Sequence, residues 1–168
     1  MAVVFVLGGV WTWWGRVPEG ASRTGVAPQS GFRAPDFALD TLEGRRVRLS
    51  DLRGQVVLVN LWATWCGPCR AEMPALERVW QAYRDQGLVV LAVNQREAPE
   101  RVQDFVAELG LTFSVLLDRN GSVGTSYRMR ALPTTFFVGR DGAIRDSVVG
   151  GPLAEAFIAS KVLAMLEE

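Results

Sequence analysis

Histidine is absent from all 168 residues, lysine occurs once, at Lys161, and cysteine only twice, at Cys66 and Cys69. Each shortage closes off some chemistry. A structural zinc site takes about four nitrogen or sulfur ligands, and two cysteines without histidine do not supply them. Eighteen basic and eighteen acidic side chains cancel, so the chain lacks the strongly basic face that nucleic acid binding wants. Long apolar runs are missing as well. The segment Ala2 to Gly15 is apolar, but as a helix it would span roughly 21 Å, short of a hydrocarbon core of about 30 Å.

What that segment does contain is a tryptophan cluster, Trp11, Trp13 and Trp14, followed by Arg16, the composition a membrane-water interface favours. It has no positively charged leader and no clear A-x-A cleavage site. A membrane anchor whose start is missing, a cleaved signal and a helix lying in the interface are the three readings, and the anchor is favoured for residues 1–15. Residues 16–33 shift to Pro, Gly, Ser and Ala without periodicity and read as a linker, reaching ~23 Å as a flexible coil. The folded domain is expected over residues 34–168.

That domain is organised around the run from Val56 to Leu61, which leads through Trp62-Ala63-Thr64-Trp65 into Cys66-Gly67-Pro68-Cys69. An apolar, β-branched run without alternation reads as a strand buried on both faces. Beyond it Met73, Leu76, Trp80 and Tyr83 fall at helical spacing. The cysteines therefore stand where a buried strand hands over to a helix. Unpaired N–H groups and the partial positive charge of a helix start stabilise a thiolate at Cys66, and Pro68 fits the first turn, where a missing N–H costs nothing. Cys66 is then the attacking thiol and Cys69, one turn deeper, the resolving one. Inert core cysteines and a purely structural disulfide compete with this reading. Closing a loop of about four residues removes little unfolded-state entropy, so redox chemistry is favoured.

Around this centre the chain reads as α/β. A hairpin is expected from Ala34-Pro35-Asp36-Phe37-Ala38-Leu39 through Thr41–Gly44 to Val47-Arg48-Leu49, then one helical turn at Ser50–Gly54. Leu88 to Val93 is a second buried strand, joined to the first by a parallel crossover. Asn94-Gln95-Arg96-Glu97 leaves it at the edge where open α/β sheets place their sites. A helix follows from Pro99 to Gly110, burying Val102, Phe105, Val106 and Leu109. Next come a strand at Phe113–Leu117, a loop with one helical turn over Asp118–Met129, and a strand opening at Leu132-Pro133. A turn at Arg140-Asp141-Gly142, a strand at Ile144–Val149 and a helix from Leu153 to about Leu166 complete the chain.

Trp65-Cys66-Gly67-Pro68-Cys69, with Pro74 eight residues after Cys66 and a strand-opening Pro133, resembles the thioredoxin superfamily. The wider set, Ala34-Pro35-Asp36-Phe37, Leu61 to Pro74 and Leu132-Pro133-Thr134-Thr135-Phe136, resembles its membrane-tethered TlpA-like and ResA-like thiol-disulfide oxidoreductases in the redoxin (AhpC-TSA) branch. The likeness covers residues 34 to 168. It implies a thioredoxin-like fold, a central mixed β-sheet flanked by helices with an extra N-terminal β-hairpin. It also implies a cis Leu132-Pro133 bond facing the disulfide, with Trp65, Gly67, Pro68, Leu132 and Pro133 forming the surface where an extended substrate lies. Thioredoxins carry a buried aspartate six residues before the first cysteine, where this chain has Asn60. An amide cannot take the resolving thiol's proton, so another base is needed. In TlpA-like proteins an acidic residue just past the next strand does this, and Glu97 matches that position, with a pKa expected to rise in a desolvated site. Cys66, Cys69 and Glu97 are thus the expected catalytic residues.

The resemblance implies a monomeric enzyme without cofactor or metal, on the extracytoplasmic side of a cell membrane and anchored there by residues 1–15. It would reduce disulfides in proteins with cysteine pairs, apocytochrome c among them, and be recharged by a membrane thiol-disulfide electron donor. Two alternatives fit less well. Peroxiredoxins place threonine or serine three residues, and proline seven residues, before the attacking cysteine, where this chain has Ala63 and Val59. Copper delivery wants a longer cysteine spacing and a histidine. The direction of electron flow is not set by any of these motifs.

Overall fold

The structure, a computed structural model, describes residues 23–168. The expected anchor at 1–15 and the first part of the linker, residues 16–22, lie outside the described residues. Among those described, no helix is long and apolar enough to cross a membrane. Among the described residues nine strands and four helices follow one another: β1 Arg23–Val26, β2 Phe32–Arg33, β3 Ala38–Asp40, β4 Arg46–Arg48, β5 Val56–Trp62, α1 Gly67–Tyr83, β6 Leu88–Gln95, α2 Pro99–Leu109, β7 Ser114–Asp118, α3 Ser122–Ser126, β8 Thr134–Val138, β9 Ile144–Val149 and α4 Glu155–Leu166.

Five strands form a mixed sheet in the order β7-β6-β5-β8-β9, with β5 at its centre. β6 runs parallel to β5 and β7 parallel to β6, whereas β8 and β9 enter antiparallel. The parallel pairs follow from the helical crossovers, and the antiparallel pair from the tight turn at Arg140–Gly142, since only antiparallel neighbours join through a short loop. All seven residues of β5 are buried, as a strand covered on both faces requires.

Period-two alternation divides β5 between two cores. Val56, Leu58 and Trp62 face the layer of α1, α2 and α4, where Met73, Leu76, Val102, Phe105, Ile158 and Val162 meet them. Val57, Val59 and Leu61 face the other way, onto Leu49, Val123, Tyr127 and Phe136. The helices thus cover one side, and the hairpin β3-β4, a 3-10 turn at Leu49–Leu52 and the short α3 cover the other. Tyr127 ties that second layer together. Its ring packs edge-on against both Phe37 and Phe136, and its hydroxyl donates to the Pro35 carbonyl at 2.8 Å.

The fold is the thioredoxin-like one, and the β3-β4 hairpin is present in antiparallel register. The structure differs from the sequence reading at residues 23–33, which lack periodicity and read as linker. They form β1 and β2, a small parallel pair. The Gly31 N–H donates to Ile144 O and the Ala34 N–H to Gly142 O, so β9 and its turn hold this segment against the domain. Such docking rests on backbone groups, which leave no pattern of side-chain types to read.

The hydroxyl and ring of Tyr127 separate in mutants. Tyr127→Phe removes one hydrogen bond and is expected to lower unfolding free energy by about 1 kcal/mol, whereas Tyr127→Ala also empties the layer and is expected to cost about 3 to 5 kcal/mol. Urea unfolding of both checks this, and equal losses would show that the ring does not anchor the hairpin.

Candidate active site

At the carboxyl end of β5 the chain passes through Ala63, Thr64 and Trp65 and enters α1 with Cys66 as its N-cap. Cys66 and Cys69 are joined in a disulfide, with their Cα atoms 5.2 Å apart. The Cys69 N–H donates to Cys66 Sγ at 3.2 Å, so the outer sulfur satisfies one of the orphan donors of the helix start. The same donor and the helix dipole favour negative charge on that sulfur once the disulfide opens. Cys69 is fully buried and Cys66 retains 5% exposure, which leaves Cys66 as the sulfur an incoming group can reach.

Of the expected surface, Trp65, Gly67, Pro68 and Leu132 gather there with Cys66 and line one cavity of about 720 Å³, which Pro133 does not line. Trp65 is 69% exposed, an aromatic face left in water at the edge of a reactive sulfur. The Leu132-Pro133 bond is cis, as is Gly151-Pro152, which the sequence did not suggest. Pro133 is buried immediately before β8.

Glu97 stands two residues past β6, and its carboxylate reaches back onto the segment before Cys66. Oε2 accepts from the Thr64 N–H and from Asn94 Nδ2, both at 2.7 Å, and Oε1 accepts from Thr64 Oγ1 at 2.6 Å. Glu97, half-buried, is therefore tied to the loop that carries the disulfide.

A second carboxyl, unmarked in the sequence reading, sits on α1 three residues after Cys69. Glu72 is fully buried and faces Asn60, whose Nδ2 donates to Glu72 Oε1 at 2.8 Å and to Thr135 Oγ1 at 2.9 Å. Glu72 Oε2 accepts from the Leu153 N–H at 3.0 Å. Burial pushes the Glu72 carboxyl above the usual glutamate range, against the pull of the Leu153 and Asn60 donors. The signal for it was present. Cys69, Glu72, Leu76 and Val79 share one helical face at spacings of three, four and three, so a glutamate interrupts an apolar stripe next to a cysteine. At Asn60, where the strand has an amide, α1 thus brings a carboxyl against it. Among the described residues no three His, Cys, Asp or Glu side chains gather closely enough to hold a metal ion.

The Glu72 shift has a definite sign in stability. A folded-state pKa above the unfolded one gives stability that is complete below the unfolded pKa and lost as pH rises through the folded one. The advantage of the wild type over Glu72→Gln is therefore expected to shrink from about pH 4 toward about pH 7, by up to about 1.4 kcal/mol per unit of separation between the two pKa values. Urea unfolding of both proteins across that range checks it, and an advantage that grows with pH would show the carboxylate to be held ionised.

Residues 31–147 match the AhpC/TSA family. The thiol-disulfide oxidoreductase ResA of Geobacillus thermodenitrificans is 42% identical over 120 residues, which span 71% of this chain and 69% of that protein. The thioredoxin-like protein YneN of Bacillus subtilis is 42% identical over 132 residues, covering 77% of this chain and 76% of YneN. Among solved structures, a secreted thiol-disulfide isomerase from Corynebacterium glutamicum superposes with a TM-score of 0.73 at 26% identity, over 80% of this chain and 85% of that one. The family match over residues 31–147 includes the disulfide, the residues lining its cavity and Glu97. The chain accordingly belongs to the AhpC/TSA family, beside its ResA-type members, and is a thiol-disulfide oxidoreductase.

Proposed function

We propose that the protein is a reductase of disulfides in partner proteins outside the cytoplasm, tethered through residues 1–15, with apocytochrome c as one substrate. The observation that carries the reading is the unequal placement of the two sulfurs, Cys66 at a cavity and Cys69 sealed beneath it. In the reduced protein the Cys66 thiolate attacks one sulfur of a substrate disulfide. That S–S bond breaks, the first substrate sulfur leaves as a thiolate, and a mixed disulfide forms at Cys66. The Cys69 thiolate then attacks Cys66 Sγ, which closes the Cys66–Cys69 disulfide and frees the second substrate sulfur. Two electrons pass to the substrate, and a membrane dithiol donor returns two to the protein.

Cys69 must lose a proton before its attack, and no side chain of β5 supplies a base, since Asn60 is an amide. Glu97 takes that part in this reading. Its carboxylate is the acid-base group bonded to the backbone between β5 and the disulfide, and a substrate lying over Trp65 would shield it from water. Trp65, Gly67, Pro68, Leu132 and Pro133 form the bed for the extended substrate chain, in which backbone pairing provides affinity without demanding a sequence.

Two measurements test this. Glu97→Gln is expected to slow resolution of the mixed disulfide by about 10²-fold near neutral pH, the usual scale for a lost general base, and to alter the pH profile of Cys69 reactivity. An unchanged profile would remove Glu97 from the mechanism. The Cys66/Cys69 reduction potential is expected near or below that of thioredoxin, about −270 mV, whereas a value near about −120 mV would reverse the direction of electron flow.

A further inference from the structure

The cavity beside Cys66 has a far wall that disulfide exchange does not use, built from Gln95, Arg96, Gly121, Gly124 and Arg130. Arg96 carries a left-handed backbone, φ 59°, although it is not glycine, a conformation that persists only where its surroundings hold it. Its side chain lies across Gly121 so closely that a Cβ there would meet Arg96 Nε at 2.1 Å. Gly121 itself has φ 73°, and Asp118 pins the following turn by accepting from the Val123 and Gly124 N–H groups. The Arg96 guanidinium is thus laid along the wall by backbone shape.

Charge on this wall is unbalanced. Among the described residues no ion pair engages Arg96, Arg130 or the nearby Arg101. The lining of this cavity holds no acidic side chain, and the nearby carboxylates Glu97 and Asp118 stand outside it, bonded to neutral donors of Thr64 and Asn94 and of α3. Gln95, only 6% exposed, donates through Nε2 to the Val93 carbonyl at 3.3 Å while its Oε1 has no partner. That oxygen stands where a Cβ on Gly124 would lie 2.4 Å away, an unused acceptor in the same wall.

Resting on the reading of Cys66 as the attacking sulfur, we propose that this wall selects substrates. Arg96 and Arg130 take an acidic side chain close in sequence to the cysteine that Cys66 attacks. Positive groups at the mouth of a cavity raise the encounter rate of acidic segments and repel basic ones. The preferred partner is therefore an acidic cysteine-bearing polypeptide segment.

The test uses three synthetic disulfide-bridged Cys-x-x-Cys peptides that differ only in flanking residues, Glu, Gln or Lys. The kcat/KM of the reduced protein for each is divided by the peptide's rate with dithiothreitol, which removes its intrinsic reactivity. The Glu-to-Lys ratio is expected to reach about tenfold at low salt and to fall toward one at about 0.5 M, where screening acts within about 4 Å. It is expected to invert in the Arg96→Glu/Arg130→Glu double variant, provided circular dichroism shows that variant folded. The salt series on the unaltered protein decides the matter if it is not. A ratio within twofold of one at low salt, with hydroxyethyl disulfide still reduced, would overturn the proposed selectivity alone. Failure to reduce hydroxyethyl disulfide at all would overturn the underlying assignment of Cys66 as well.

Discussion

A strand buried on both faces has to stop somewhere, and where β5 stops the backbone must switch from sheet pairing to helix within four residues. Everything at this site depends on that switch. The first turn of α1 has unpaired N–H groups that cannot be solvated freely beneath the sheet edge, and Cys66 Sγ takes one of them. The helix then carries Cys69 back under the same turn into the core. Two sulfurs of identical chemistry thereby acquire different access and different electrostatics, the asymmetry that ordered thiol-disulfide exchange needs.

Two carboxyl groups are fixed by hydrogen bonds near this switch, Glu72 buried and Glu97 half-buried. Glu97 is fastened to Thr64 and Asn94. Glu72 is sealed against Asn60 and the backbone of Leu153. Asn60 donates to both Glu72 and Thr135, so this amide links the central strand to α1 and to β8 beside the cis proline. A buried carboxyl is costly unless hydrogen-bonded, and each of these has at least two donors. The Glu72 group joins β5, α1 and β8, and the Glu97 group joins β6 to the loop before Cys66.

Much of the architecture was legible in the sequence because one physical signal dominated each element. The continuous β-branched run of β5, the helical stripe of α1 and the Gly110 stop of α2 each state their own structure. The site was partly legible for the same reason, since two cysteines at a strand-to-helix switch have few other uses. What the sequence hid depended on three-dimensional return. Glu72 shows in the sequence as an acid within the apolar stripe of α1, but nothing there names Asn60 as its partner. Gln95 and Arg96 read as the polar end of a strand until the structure lays Gln95 against Gly124 and the left-handed Arg96 across Gly121. The strands at 23–26 and 32–33 have no side-chain pattern because backbone bonds to β9 and its turn hold them in place.

Trapping the mixed disulfide tests the division of labour between the sulfurs most directly. With Cys69→Ala, a disulfide-bearing protein substrate is expected to stay covalently bound through Cys66, seen as a one-to-one adduct by mass spectrometry that reductant dissolves. With Cys66→Ala, no such adduct is expected to form. An adduct of equal yield through Cys69 would contradict the account, because the two sulfurs would then be interchangeable despite their burial.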